Sequence, residues 1–81
     1  MARVVLPQAL APRAGGQLEH EIQGENIRAL LAALDARFPG LAAELKGRVA
    51  VAIDGEIFND PMLEAVEPDS EVHFLPRVGG G

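Results

Sequence analysis

The sequence predicts a small two-layer α+β domain in which one helix packs on one face of a small mixed sheet. Three observations support this fold class. Residues 24–39 contain one apolar stripe at helical spacing, short β-prone runs lie on both sides of that segment, and Asp54-Gly55 between two such runs is a hairpin signal. The 81 residues show no repeat and no linker-like break, which leaves room for one core. The predicted order of elements is β-β-α-β-(β)-β.

Two short strands are predicted before the helix. Residues 4–6 form a β-prone run that Pro7 ends, and the stretch from Pro12 to Gly16 is typical of a loop. In residues 17–22, three residues alternate with polar ones and share one face of a half-buried strand: Leu18, His20 and Ile22. We therefore expect a first hairpin.

The helix follows from five apolar residues at positions i, i+3, i+4, i+7 and i+11, which are Ile27, Leu30, Leu31, Leu34 and Phe38. Gly24 and Asn26 are the candidate N-caps, and Pro39-Gly40 ends the helix. We expect Leu31 and Phe38 to anchor the core. Residues 41–45 are expected to add one short helical turn before Gly47.

Three further strands are predicted after the helix. Residues 49–53 alternate between larger and smaller apolar side chains, and Asp54-Gly55 leads from them into Glu56-Ile57-Phe58. Residues 59–70 contain two prolines and are expected to be irregular. Residues 71–75 form the last strand, with Val72 and Phe74 on one face.

One helix can cover only one face of this sheet, so the other face is predicted to be open. If Val49, Val51, Ile53, Val72 and Phe74 point at the helix, the open face carries Ala50, Ala52, His73 and Leu75. We interpret this small apolar patch as a partner-docking surface, with Ala50, Ala52 and Leu75 as its binding residues. Ordinary scattered surface residues are the alternative interpretation.

Charge and residue inventory exclude several function classes. Twelve acidic residues against seven basic ones give a net charge of -5, which argues against nucleic-acid and anionic-membrane partners and favours partners with basic patches. The chain has no membrane-length apolar stretch and no signal-peptide pattern, so we expect a cytoplasmic protein.

The inventory of reactive side chains is also small. There is no Cys, Thr, Tyr or Trp, and Ser70 is the only aliphatic hydroxyl, in a turn-like segment. We therefore expect a protein that is not an enzyme. His20 and His73 lack the convergent ligands of a metal site and are expected to be structural or solvated. Lys46, the only lysine, is expected at the surface.

The last six residues, Pro76-Arg77-Val78-Gly79-Gly80-Gly81, follow the final strand. We divide the chain into a domain of residues 1–75 and a flexible tail of residues 76–81. Fully extended, five or six residues reach about 17–20 Å, which is far enough to enter a partner's active site. Glycine lets the backbone pass through a narrow channel and leaves the terminal carboxylate unencumbered.

Three segments together resemble the ThiS/MoaD family of ubiquitin-like sulfur carriers. They are residues 29–41, which include Arg37-Phe38-Pro39-Gly40-Leu41, residues 51–57, and residues 69–81, in which an acidic turn, a strand, a proline and a terminal Gly-Gly follow in order. The resemblance implies the β-grasp fold. The chain length and Phe38-Pro39-Gly40 look more like the MoaD side, the small subunit of molybdopterin synthase, than the ThiS side.

The resemblance also implies a chemistry for the tail. An activating enzyme would adenylate the Gly81 carboxylate with ATP, and a sulfurtransferase or cysteine desulfurase would supply the sulfur that converts it to a thiocarboxylate. Gly79 and Gly80 would provide access, and Arg77 is a candidate to pair with an acidic partner residue, with simple solvation as the alternative. No cofactor is expected to bind the chain itself.

On the MoaD interpretation, the sulfur-accepting partner would be the molybdopterin synthase large subunit, in molybdenum cofactor biosynthesis. A carrier for thiamine or cysteine biosynthesis remains an alternative. So does a ubiquitin-like modifier whose activated Gly81 is joined to target lysines, and so does a passive β-grasp binding module.

Overall fold

The computed structural model describes residues 1–46 and 49–76. The described part contains five strands and two α-helices: β1 (Ala2–Val5), β2 (Glu19–Ile22), α1 (Ile27–Arg37), α2 (Leu41–Leu45), β3 (Val49–Ile53), β4 (Glu56–Phe58) and β5 (Glu71–Pro76). A 3-10 helix, Gln8–Ala14, connects β1 to β2. No helix in these two ranges is long and apolar enough to span a membrane.

The five strands form one mixed sheet in the order β2-β1-β5-β3-β4. β1 and β5 are parallel and lie side by side, whereas β1–β2, β3–β4 and β3–β5 are antiparallel pairs. Helix α1 covers one face of this sheet. The two-layer α+β architecture predicted from the sequence is therefore confirmed.

Helix α1 begins and ends as its sequence indicates. Of the two candidate caps, Asn26 is the N-cap, since its side-chain oxygen accepts a hydrogen bond from the Ala29 N–H at 2.8 Å. Gly24 has a different role: a Cβ there would lie 2.9 Å from both Cδ2 and the backbone nitrogen of Leu30. Pro39-Gly40 ends the helix, and Gly40 takes the left-handed conformation, with φ of 93°, from which α2 begins.

The core lies between α1, α2 and the sheet. Its side chains with less than 2% exposure include Ile27, Leu30, Leu34, Leu41, Leu45, Val4, Val51 and Val72. Leu31 is also buried, at 4% exposure, as predicted. Phe38 is only partly buried, because it packs at the margin of the core with its ring in an edge contact on His20, 5.1 Å between centroids. The prediction that Phe38 anchors the core is thus only half met.

The connection from β1 to β2 differs from the predicted plain loop. Pro7 has φ of -59°, and its carbonyl accepts the Leu10 N–H at 2.9 Å to start the 3-10 helix. This helix includes Pro12 and buries Ala14 completely. The segment is ordered because its apolar residues cover the core, a tertiary effect that loop-like composition conceals.

The irregular segment between β4 and β5 packs along the start of α1. The N–H groups of Ile27 and Arg28 donate to the carbonyls of Glu64 and Met62, at 3.2 and 2.9 Å, and the Val66 N–H donates to the Glu25 carbonyl at 2.8 Å. The first N–H groups of a helix lack partners within the helix. This segment supplies some of them, so its irregular backbone is held in place.

Candidate functional site

The open face of the sheet carries the residues that the sequence placed there. In the β3–β5 ladder, Ala50 lies opposite Leu75 and Ala52 opposite His73, and all four residues are partly exposed. The alternate pairs of the same ladder, which are Val51 with Phe74 and Ile53 with Val72, are buried under the helix. The predicted division of β3 and β5 into two faces is correct. The side chain of Val49 lies outside the described residues.

Two further apolar residues extend this surface. Ile57 on β4 lies opposite Ala52 and is 62% exposed, and Val5 on β1 lies opposite His73 and is partly exposed. We call this surface the docking face; it comprises Val5, Ala50, Ala52, Ile57 and Leu75. The sequence analysis missed Ile57, although a two-residue turn at Asp54-Gly55 places it opposite Ala52. Val5 could not be found in this way, because β1 and β5 are 65 residues or more apart in the chain.

A chain of charged side chains borders the docking face on the β1 and β2 side. Arg3 Nε donates to Glu19 Oε1 at 2.8 Å, and Arg3 also pairs with Glu71 at 3.3 Å. His73 Nε2 lies 2.9 Å from Glu71 Oε1. The hydrogen bond from His73 is the main cause that lowers the pKa of Glu71. The open face thus changes from charged over β2 and β1 to apolar over β3 and β4.

The docking face adjoins the point from which the predicted tail would start. Leu75 belongs to the docking face, and Pro76 is paired with Val49 at the end of β5, so the strand includes the residue that we predicted to open the tail. Arg77, Gly79, Gly80 and Gly81, the predicted tail residues, lie outside the described residues. The geometry therefore places an apolar surface beside the end of β5.

The two histidines do not form a common site. His20 is 8% exposed, lies on the helix side of the sheet with Nε2 2.9 Å from the Gln17 carbonyl, and contacts Phe38. His73 lies on the opposite face. Within residues 1–46 and 49–76, no group of three or more His, Cys, Asp or Glu side chains is arranged to hold a metal ion. His20 is structural, as predicted.

Comparison with known families gives one match. The model of the ThiS family matches residues 4–81, which is nearly the whole chain. A comparison with curated proteins found no match.

Solved structures show the same fold at low sequence identity. The crystal structure of Mycobacterium tuberculosis CysO, described as an antigen, superposes with a TM-score of 0.87 at 24% identity, over 96% of this chain and 100% of that one. CysO in the Amycolatopsis orientalis BexX/CysO complex gives 0.86 at 22% identity, over 100% of both chains. The solution structure of small archaeal modifier protein 1 from Methanosarcina acetivorans gives 0.81 at 22%, over 99% and 95%. The fold is therefore the ubiquitin-like β-grasp.

Proposed function

The chain belongs to the ThiS family, and on this basis we propose that it is a sulfur carrier whose Gly81 carboxylate is converted to a thiocarboxylate by partner enzymes. The observation that carries the proposal is the match of the family model through Gly81. The adjacency of the docking face to the end of β5 supports it, because a partner that binds this face lies where a following tail could reach its active site.

The chemistry requires an activating partner. A carboxylate is a poor acyl donor, but attack of a Gly81 carboxylate oxygen on the α-phosphorus of ATP releases pyrophosphate and gives a mixed anhydride with AMP. A sulfur nucleophile at the oxidation level of sulfide then attacks the acyl carbon, and AMP leaves. The resulting thiocarboxylate is a nucleophile that this cysteine-free chain does not otherwise possess.

The roles of the tail residues follow from this chemistry. Gly81 carries the sulfur, and Gly79 and Gly80 let the backbone enter a narrow channel. Arg77 is a candidate to pair with an acidic residue at the channel entrance. ATP belongs to the activating enzyme, and we propose no cofactor bound to the chain itself.

We further propose three classes of partner in the cytoplasm: the adenylating enzyme, a sulfurtransferase or cysteine desulfurase, and a sulfur-accepting enzyme. Amycolatopsis orientalis CysO was solved in a complex with BexX, which is a precedent for a protein of this fold working with a partner. The chain length and Phe38-Pro39-Gly40 favour the molybdopterin synthase large subunit as acceptor. Acceptors in thiamine or cysteine biosynthesis are the alternatives.

Intact-mass measurement tests the carrier proposal. The purified chain is incubated with ATP, its activating enzyme and a sulfur source, and we expect a gain equal to the replacement of one oxygen by sulfur, confined to the C-terminal peptide. Deletion of Gly80-Gly81 should abolish the gain, because the carboxylate would end about 7 Å short of the reacting position. Gly81→Ala should slow it, because a Cβ crowds the carbon that is attacked.

The controls separate the alternatives. The deletion variant should keep the melting temperature of the wild type, so that lost activity does not reflect unfolding. Sulfur uptake by the deletion variant, or no uptake by the intact chain with a cognate activating enzyme, would rule out the carrier proposal. Covalent adducts on lysines of other proteins, without a thiocarboxylate, would instead support a ubiquitin-like modifier.

A further inference from the structure

Two adjoining cavities form a groove on the helix side of the molecule. The deeper cavity, about 360 Å³, has a floor of core side chains: Ile27, Leu31, Leu45, Val51 and Phe74. The shallower cavity, about 310 Å³, runs along α1 and α2 between Arg28 and Ala42. Both cavities are lined by Leu31, Lys46 and Met62, so they are continuous. We call the combined feature the side groove.

We propose that the side groove binds an acidic segment of a partner protein, with one apolar side chain in the deeper cavity and a carboxylate held between Arg28 and Lys46. This surface lies on the opposite side of the sheet from the docking face. The inference therefore does not depend on the proposed sulfur-carrier function, and both surfaces could be occupied together.

The shape and lining of the deeper cavity suit an apolar anchor. Its volume lies at the lower end of the range of small-molecule sites and exceeds that of a single large side chain. The floor residues Ile27, Leu31 and Phe74 are 0–4% exposed, so a side chain placed on them loses contact with water. Met62 forms part of the wall, and its three rotatable bonds let the opening adjust to the shape of the entering side chain.

The charges around the shallower cavity favour a carboxylate. Arg28 and Lys46 are exposed, and the ion pairs found among residues 1–46 and 49–76 include neither of them. Asp35 lies in the same cavity, but its Oδ1 already accepts the N–H groups of Gly40 and Ala42, at 3.0 and 3.1 Å. Two cations without ion pairs therefore face one carboxylate that is committed to the start of α2.

Charge elsewhere on the chain gives the groove its selectivity. With a net charge of -5, most of the surface repels an acidic segment, so two adjacent cations without ion pairs are an unusual place for it to bind. Asp60 lies on the rim of the deeper cavity, away from Arg28. The acidic residue of the partner must therefore follow the helix toward Arg28, which fixes the direction of the bound segment relative to its apolar anchor.

Nuclear magnetic resonance titration with defined peptides tests the proposal. The probes are capped synthetic hexapeptides that carry one phenylalanine and three glutamates, made in both orders, together with versions in which alanine replaces phenylalanine or lysines replace the glutamates. With one order of the acidic peptide, we expect saturable amide shifts that centre on Leu31, Ala32, Ala42 and Met62. Loss of either the anchor or the acidic residues should weaken binding by about tenfold or more.

Matched charge reversals locate the site. Arg28→Glu and Lys46→Glu should each weaken the acidic peptide by about tenfold, and the weakening should diminish as salt is raised. Arg37→Glu makes the same change on an exposed residue of α1 outside both cavities, and it should alter the affinity by less than about twofold. A thermal melt of each variant shows whether the fold is retained.

Four results would overturn the inference. They are the absence of saturable shifts with either order of the acidic peptide, shifts centred on the docking face, equal binding of the lysine peptides, and equal weakening by Arg37→Glu. Amide shifts in the same groove that depend on protein concentration without any peptide would show that a second copy of the chain occupies it, which also excludes the proposed occupant.

Discussion

Ser70 donates its hydroxyl hydrogen to Asp54 Oδ2 at 2.9 Å, which joins the segment before β5 to the turn between β3 and β4. The same hydroxyl accepts the Glu67 N–H at 3.0 Å, and Asp54 Oδ1 accepts the Glu71 N–H at 2.9 Å. Ser70 is 2% exposed. The turn role predicted for Ser70 is therefore confirmed, and the only aliphatic hydroxyl of the chain is used to hold two connections together.

Removal of this hydroxyl should destabilise the fold. Ser70→Ala leaves the Glu67 N–H without its partner and takes one donor from Asp54, so we expect a loss of about 1–3 kcal/mol in the free energy of unfolding. Urea denaturation monitored by circular dichroism measures this loss. Asp69→Ala, at an exposed neighbour, should change stability by less than about 0.5 kcal/mol. Equal effects of the two variants would contradict the structural role of Ser70.

The same network predicts a dependence of stability on pH. The hydrogen bond from the Glu71 N–H, and then that from Ser70, lowers the pKa of Asp54. Because the network favours the ionised carboxylate, its contribution is present above the ordinary pKa of 3.8 and is lost as the pH falls through the lowered value. Glu71 contributes in the same direction, since its pKa is also lowered. We expect stability to fall on acidification below the ordinary pKa values of these two groups.

Asp54→Asn isolates the contribution of Asp54 to this dependence. Asparagine tolerates the left-handed backbone of this position, where φ is 50°, and keeps an oxygen for the Glu71 N–H, but it cannot ionise. The acid-dependent loss should be smaller in this variant than in the wild type when urea denaturation is repeated across the acidic range. Asp69→Asn, an exposed acid outside the network, serves as the control. Parallel curves for the wild type and Asp54→Asn would refute the assignment.

Substitutions on the docking face should separate binding from folding. Ala52→Arg and Leu75→Asp place charge in a partly exposed apolar surface, and we expect each to weaken binding to the activating enzyme by about tenfold or more while the melting temperature changes little. Ala36→Arg, on the exposed side of α1, makes the Ala52 change away from this face. Isothermal titration calorimetry gives the affinities. Wild-type binding by both face variants would exclude this surface as the interface.

Truncation in the core should be far more costly than truncation at the surface. Leu34 is completely buried under α1, so Leu34→Ala should lower the free energy of unfolding by about 2–5 kcal/mol. Leu63 is 77% exposed, and Leu63→Ala removes the same atoms with an expected change below about 0.5 kcal/mol. Chemical denaturation of both variants supplies the comparison. A similar loss in the two variants would contradict the position of the core.

Local patterns were sufficient to predict the elements whose signals lie close together in the chain. The stripe from Ile27 to Leu34 predicted α1, and the alternation in residues 49–53 with the turn at Asp54-Gly55 predicted the β3–β4 hairpin and both of its faces. In each case the residues that interact are within about ten positions of one another, so spacing alone carries the information.

Features that depend on distant segments could not be predicted in this way. The 3-10 helix at residues 8–14 is ordered by burial of Ala14, although its composition is typical of a loop. The side groove exists because Met62 is held against α1 through the Arg28 N–H, a contact between segments with no shared pattern. Both features come from tertiary packing, which overrides the local signal.

The position of β5 has a consequence for how the protein is made. β5 lies between β1 and β3, so the β1–β2 and β3–β4 hairpins do not share a sheet until it is in place. Synthesis on the ribosome runs from the N-terminus, and isolated hairpins are marginal in water. The nascent chain therefore completes its sheet only after residue 76 has emerged. Since the proposed sulfur-bearing glycines follow that same strand, a chain able to offer Gly81 for activation is one whose fold is already closed, and prematurely ended chains lack both.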